Sequence, residues 1–170
     1  MSALPHINAG SENTRGILVL GLGNLLLTDE GVGVHAAQRL QQMQLPANVE
    51  VVDGGTGGFE LIEHCRGKSK IIIIDCLSAD AAPGSVIRLS LDEIDPQRPP
   101  PFSAHQGGIR ELLAFIPSLT PIPEVTIYGV VPVVVDQLSM ELSPTVEAQL
   151  PKIVSTVIDE SRSKTAEPSA

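Results

Sequence analysis

The stretch that decides the fold is GLGNLLLTDEGVG, residues 21–33. It closes an apolar run, GILVLGLG at 16–23, and leads into residues spaced as on a helix, so it reads as a strand–turn–helix joint. Gly21 and Gly23 stand where the first two glycines of a dinucleotide-binding G-x-G-x-x-G belong. The third place is taken by Leu26, and an acidic pair, Asp29 and Glu30, follows. The loop therefore begins like a pyrophosphate cradle and departs from it, which raises the question of what it holds.

Outward from this joint, strand and helix patterns alternate. NVEVVDGG at 48–55 and KIIIIDC at 70–76 read as the second and third strands; the four isoleucines predict a central strand covered on both faces. GSVIRLSL at 84–91 and EVTIYGVVP at 124–132 supply the fourth and fifth. Thr28 is the expected N-cap of a first helix carrying Val32, Ala36 and Leu40 on one face, with Asp29 and Glu30 near its first turn. Further helices are expected over 58–65, 108–115 and 143–161, the last opened by Ser143 and Pro144 and striped by Val146, Leu150, Ile153 and Val157. This alternation predicts an α/β fold: a three-layer, open, twisted, mostly parallel five-stranded sheet with helices on both faces. The expected organisation is a flexible N-terminal segment at 1–15, one α/β domain at 16–162 and a flexible tail at 163–170.

Composition narrows the function classes. A chain of 170 residues fits one domain with a sizeable core. A formal net charge of -9 and no Lys/Arg cluster disfavour nucleic acid or an anionic membrane as the main partner. Residues 1–15 lack the apolar core of a signal peptide, and no apolar run reaches the roughly 18 residues of a membrane span, so the expected compartment is the cytoplasm. Cys65 and Cys76 form no C-x-x-C pair and are read as reduced thiols, Cys76 in the core.

In open α/β sheets ligands bind beyond the carboxyl ends of the strands. Glu30 follows the first strand, Asp53 ends the second, Asp75 ends the third, and His105 precedes the helix at 108–115. All four are expected at one edge, as an oxygen- and nitrogen-rich pocket for a metal or polar ligand. Each also has a plainer reading: Glu30 as a helix-start acid, Asp53 and Asp75 as turn-formers, His105 as a loop residue, and the glycines of DGGTGG at 53–58 as positive-φ positions. Asp75 resists that reading, because a carboxylate directly after four isoleucines is costly without a partner. His35 and His64 read as surface residues of helices, and His6 lies in the N-terminal segment.

Taken in order, ILVLGLGNLLLTDEGVGV, VVDGGTGGFEL, IIIIDC with APGSVIRL, SAHQGG and TIYGVVP closely resemble the maturation endopeptidases of nickel-iron hydrogenases, over roughly residues 16–147. The resemblance implies an endopeptidase that removes a C-terminal extension from the precursor of the hydrogenase large subunit after nickel insertion. It implies that Glu30, Asp75 and His105 ligate nickel, and that this nickel belongs to the substrate, so that metal loading is read before cleavage. It also places the Asp53, Gly54, Gly55, Thr56 loop at precursor recognition, with Asp53 available for proton transfer. Imidazole and carboxylate suit nickel, and three ligands leave positions for the precursor's own.

A nucleophile mechanism is disfavoured, since no G-x-S-x-G elbow occurs and Cys76 sits on a core strand. Three rivals remain: a nucleotide-binding module, a standalone metallohydrolase with resident zinc, and an inactive homologue that only chaperones the subunit. The expected state is a monomer that docks transiently, with selectivity in the proline-rich loop at 92–103.

Overall fold

The structure is a computed structural model, and it describes residues 16–94 and 107–162. The segments expected to be flexible, 1–15 and 163–170, lie outside the described residues, as do His105 and most of the 92–103 loop.

Five strands form one sheet: β1 (Ile17–Leu22), β2 (Val49–Gly55), β3 (Lys70–Cys76), β4 (Val86–Ser90) and β5 (Glu124–Val130). Their spatial order is β2-β1-β3-β5-β4. The β1–β2, β1–β3 and β3–β5 pairs are parallel, and edge strand β4 runs antiparallel to β5. The reversal has a simple cause. Only residues 77–85 link β3 to β4, too few for a parallel crossover, which takes a dozen or more.

Strand periodicity divides the core between two layers. Ile72, Ile74 and Cys76 of β3, with Ile17 and Val19 of β1, face the layer of α1 (Val32–Gln41) and α5 (Leu150–Arg162). Ile71 and Ile73, with Leu18, Leu20 and Leu22, face α2 (Ile62–Cys65) and α3 (Gly107–Phe115). All four isoleucines are fully buried, as their unbroken run predicts.

The C-terminal helical stretch is divided: α4 (Pro144–Glu147) and α5 are separated at Ala148 and Gln149. Pro151 explains the break, because it has no N–H to donate to the Glu147 carbonyl and its ring crowds that turn. Pro144 does occupy the first helical position, as expected.

At the amino end of the sheet, Lys70 opens β3 as a buried cation. It pairs with Glu124 at 3.0 Å and Glu160 of α5 at 2.8 Å. Glu160 also accepts from Thr126 at 2.8 Å, Arg88 at 3.2 Å and the Tyr128 hydroxyl. Burial works to raise the Glu160 pKa, but the bonds from Lys70, Tyr128 and Thr126 prevail and bring it from its ordinary 4.5 down to about 2. Burial first, and then the Glu160 carboxylate, push the Tyr128 phenol up to about 12.

Candidate functional site

In the order β2-β1-β3-β5-β4, the chain leaves β1 toward β2 on one side and returns to build β3 on the other, so the switch point lies between the carboxyl ends of β1 and β3. Glu30 follows the first of these strands, and Asp75 lies in the second. Glu30 sits in a 3-10 turn, Thr28–Gly31, which packs against β3. Asp75 is the next-to-last residue of β3.

Glycine makes this close approach possible. A Cβ on Gly33 would stand 2.1 Å from the Ile74 carbonyl oxygen and 2.2 Å from that of Leu22, and one on Gly21 would stand 2.1 Å from the Gly33 carbonyl oxygen. Helix α1 therefore lies directly on β1 and β3, bringing the preceding turn onto the strand ends. Gly23, at φ +136°, has the Glu30 carbonyl oxygen 1.8 Å from where its Cβ would be. The space beside the second glycine is thus filled by the protein's own acidic turn, unlike a loop that cradles pyrophosphate. The structural role of a third glycine, close helix–strand packing, has passed to Gly33.

Three carboxylates gather here. Asp29 and Asp75 are fully buried and Glu30 is 3% exposed. Their combined field reaches Cys76, whose thiol is pushed well above the ordinary range by burial first and then by Asp75, Glu30 and Asp29. Cys65 is likewise pushed up by burial, to about 11. Both are free thiols, as expected, with Cys76 in the core as the sequence implied and Cys65 buried as well, and neither has the lowered pKa of a thiolate nucleophile.

The three acids are satisfied differently. Asp29 is held by Val133, Val134 and Ser143. Asp75 Oδ1 accepts the Cys76 N–H at 2.7 Å. Glu30 Oε2 is buried and has no hydrogen-bond partner among the described residues. A buried carboxylate oxygen without a donor is costly unless a cation completes it.

The expected N-cap, Thr28, is a correction. It adopts a left-handed φ of 41° inside the 3-10 turn, and its hydroxyl donates to the Gln137 carbonyl at 2.7 Å. Gly31 occupies the cap position of α1, without a side-chain cap bond. Asp29 and Glu30 lie directly before α1, near its first turn as expected, and both are buried.

Asp53 reaches the same edge but stands apart. It is the exposed residue of otherwise half-buried β2, where Oδ2 accepts from Gln38 of α1 at 3.0 Å and Oδ1 from the Gly55 N–H at 3.2 Å. Gly54 is packed under Leu22 and Leu61, whereas Gly55, at φ +51°, and exposed Thr56 form the open tip. The two glycine loops meet through one bond, Gly23 N–H to the Gly55 carbonyl at 2.8 Å.

His105 lies outside the described residues. Among the described residues, no group of three His, Cys, Asp or Glu is placed to hold a metal ion. Strand alternation puts Asp75 on the face of Ile71 and Ile73, which α3 covers; α3 begins at Gly107, two positions after His105. His35, expected on the surface, is half-buried, its Nε2 lying 3.0 Å from the Met140 carbonyl oxygen; His64 is exposed and pairs with Glu50 at 2.8 Å.

Residues 34–160 match the family described as hydrogenase maturation protease. The chain belongs to this family. It is 37% identical to the hydrogenase 2 maturation protease of Escherichia coli K12 over 145 residues, covering 84% of this chain and 88% of that protein. Among solved structures, the hydrogenase-maturating endopeptidase HybD from E. coli superposes with a TM-score of 0.77 at 36% identity, covering 86% of this chain and 92% of that one. The [NiFe] hydrogenase maturation protease HybD from Thermococcus kodakarensis gives 0.69 at 31% identity, covering 86% and 99%. As a hydrogenase maturation protease the chain is a peptide-bond hydrolase, and the α/β fold is that of its relatives. No helix among the described residues is long and apolar enough to cross a membrane.

Proposed function

We propose that this hydrogenase maturation protease removes the C-terminal extension of a nickel-iron hydrogenase large-subunit precursor after nickel insertion, and that Glu30, Asp75 and His105 read the substrate's nickel. The observation that carries this reading is Glu30 Oε2, a buried carboxylate oxygen with no hydrogen-bond partner among the described residues, at the same switch point as buried Asp75. Carboxylates with one imidazole suit nickel and leave coordination positions for the precursor's own ligands. The chemistry such an ion supplies is Lewis acidity toward the scissile carbonyl or an attacking water.

The part given to Asp53, Gly54, Gly55 and Thr56 is recognition of the precursor chain. Thr56 is exposed at the same edge beside half-buried Gly55, and the Asp53 carboxylate is engaged by Gln38 and the Gly55 N–H. Asp53 is a proton carrier only if it exchanges these bonds when substrate arrives.

The test is the intact mass of a cognate large-subunit precursor, prepared with and without nickel, before and after incubation with the protease. Loss of a C-terminal fragment from the nickel-loaded form alone is the expected result. Equal cleavage of both forms overturns nickel reading, and cleavage of neither overturns the proteolytic assignment for that precursor.

A further inference from the structure

Residues 133–143 have no regular secondary structure of their own and turn inward at buried Leu142 and Ser143, and they are bonded at many points to the stretch that carries Glu30. The Thr28 N–H donates to the Ser139 carbonyl at 2.9 Å, the Ser139 N–H to the Leu26 carbonyl at 3.1 Å, and the Asp29 N–H to the Val134 carbonyl at 3.2 Å. The Thr28 hydroxyl holds the Gln137 carbonyl, and His35 Nε2 lies against that of Met140. The centre of this attachment is the Asp29 side chain. Its Oδ2 accepts the N–H groups of Val133 at 2.8 Å and Val134 at 3.0 Å and the Ser143 hydroxyl at 2.9 Å, while Oδ1 accepts the Ser143 N–H at 2.8 Å.

One fully buried carboxylate therefore closes both ends of an eleven-residue segment onto the residue next to Glu30. The segment so fixed is unusual in what it leaves outside. Leu138 is 80% exposed, Met140 57%, Val133 48% and Val135 37%; Leu26, bonded to Ser139, is 57% exposed. These account for five of the eight large exposed apolar side chains among the described residues. Apolar side chains gathered into one patch on a protein surface mark contact surfaces.

We propose that Asp29 is a positioning residue, which locks residues 133–143 onto the Glu30 turn so that Leu26, Val133, Val135, Leu138 and Met140 form a fixed apolar rim that binds the precursor polypeptide beside the site. The occupant follows from continuity: the rim is hydrogen-bonded to the turn that bears Glu30, so a chain seated at Glu30 passes over it. Asp29 touches neither substrate nor reacting atoms in this role. The proposal rests on the reading of the site as the place where the precursor is cut.

The experiment measures precursor affinity and, separately, kcat and KM for the full-length Asp29→Asn, Leu138→Ser and doubly substituted proteins. Asn keeps the volume of Asp29 but turns an amide toward N–H groups that need an acceptor. Each single change is expected to raise Kd and KM about tenfold with kcat held within about twofold, and the double variant to be little worse than either alone. Amide exchange at Val133 and Val134 should quicken in Asp29→Asn while β3 stays protected, which separates the latch from general loss of stability. The proposal falls if Leu138→Ser binds precursor normally, if exchange at Val133 and Val134 quickens without change in Kd, or if the two substitutions add in full. Should Asp29→Asn not fold, Ser143→Ala, which removes the hydroxyl bond to Asp29, takes its place in the same cycle. Wild-type protein that binds precursor without cutting it sinks the proteolytic reading and leaves the Kd comparison to judge the rim; failure to bind at all sinks both.

Discussion

The Ile74 carbonyl oxygen occupies the space that any side chain on Gly33 would need, 2.1 Å from the position of its Cβ. Both the obstructing atoms and Gly33 belong to buried backbone, so neither can move aside as a flexible side chain would. Gly33→Ala is expected to cost about 3 kcal/mol or more, by lifting α1 off β1 and β3. Urea unfolding of the variant checks this; a midpoint equal to wild type would show that the helix has slack that the backbone geometry denies.

Neutralising the acids of the site should separate activity from stability. Glu30→Gln and Asp75→Asn are expected to lower cleavage of nickel-loaded precursor on the order of a hundredfold. Because Glu30 Oε2 is buried with no hydrogen-bond partner among the described residues, Glu30→Gln should melt no lower than wild type. Single-turnover cleavage and thermal unfolding measured on the same preparations decide it. Normal cleavage by Glu30→Gln removes this residue from the proposed metal set.

Acid stability is expected to depend on Glu160. Its folded pKa is depressed to about 2 from 4.5, so its contribution is fully present above pH 4.5 and is lost as pH falls toward 2. Glu160→Gln should therefore be less stable than wild type at pH 7, on the order of 1–3 kcal/mol, and the two should converge toward pH 2. Denaturant titrations at pH 7, 4 and 2.5 read this directly. A gap that stays constant with pH would assign the loss to packing and not to the ion pairs with Lys70 and Arg88.

Asp53 is expected to act on binding more than on chemistry. Asp53→Ala releases Gln38 and the Gly55 N–H and leaves the glycine tip with one anchor fewer. KM for precursor should rise about tenfold while kcat changes less than about threefold. A fall in kcat accompanied by a changed pH profile would instead make Asp53 the proton carrier.

The parts of the fold that the sequence disclosed were those written in local periodicity. The residues of β3 were legible to the residue, because four adjacent isoleucines need burial on both faces and Lys70 and Cys76 bound them. The placing of Glu30 and Asp75 at one edge followed from the alternation of strands and helices, which makes β1 and β3 parallel and puts their carboxyl ends on the same side. Thr28 was misread because a Thr before an acidic pair is a good local cap, whereas its long-range bonds to Gln137 and Ser139 fix a left-handed turn instead. The single helix expected at 143–161 ignored the missing N–H of Pro151. Asp29 gave no signal that its partners lay at Val133, Val134 and Ser143, more than a hundred positions away, since nothing periodic connects them.

Lys70 and Asp75 lie five residues apart on β3, about 17 Å along the strand, at ends with opposite vulnerabilities. Inherited defects should divide accordingly. Alleles altering Lys70, Glu160 or Tyr128 would leave cells with little protease at all, and lowering the growth temperature or raising expression could restore hydrogenase. On the proposed reading of the site, alleles that neutralise Glu30 or Asp75 without changing their shape would accumulate an idle protein, and no change of dosage would help.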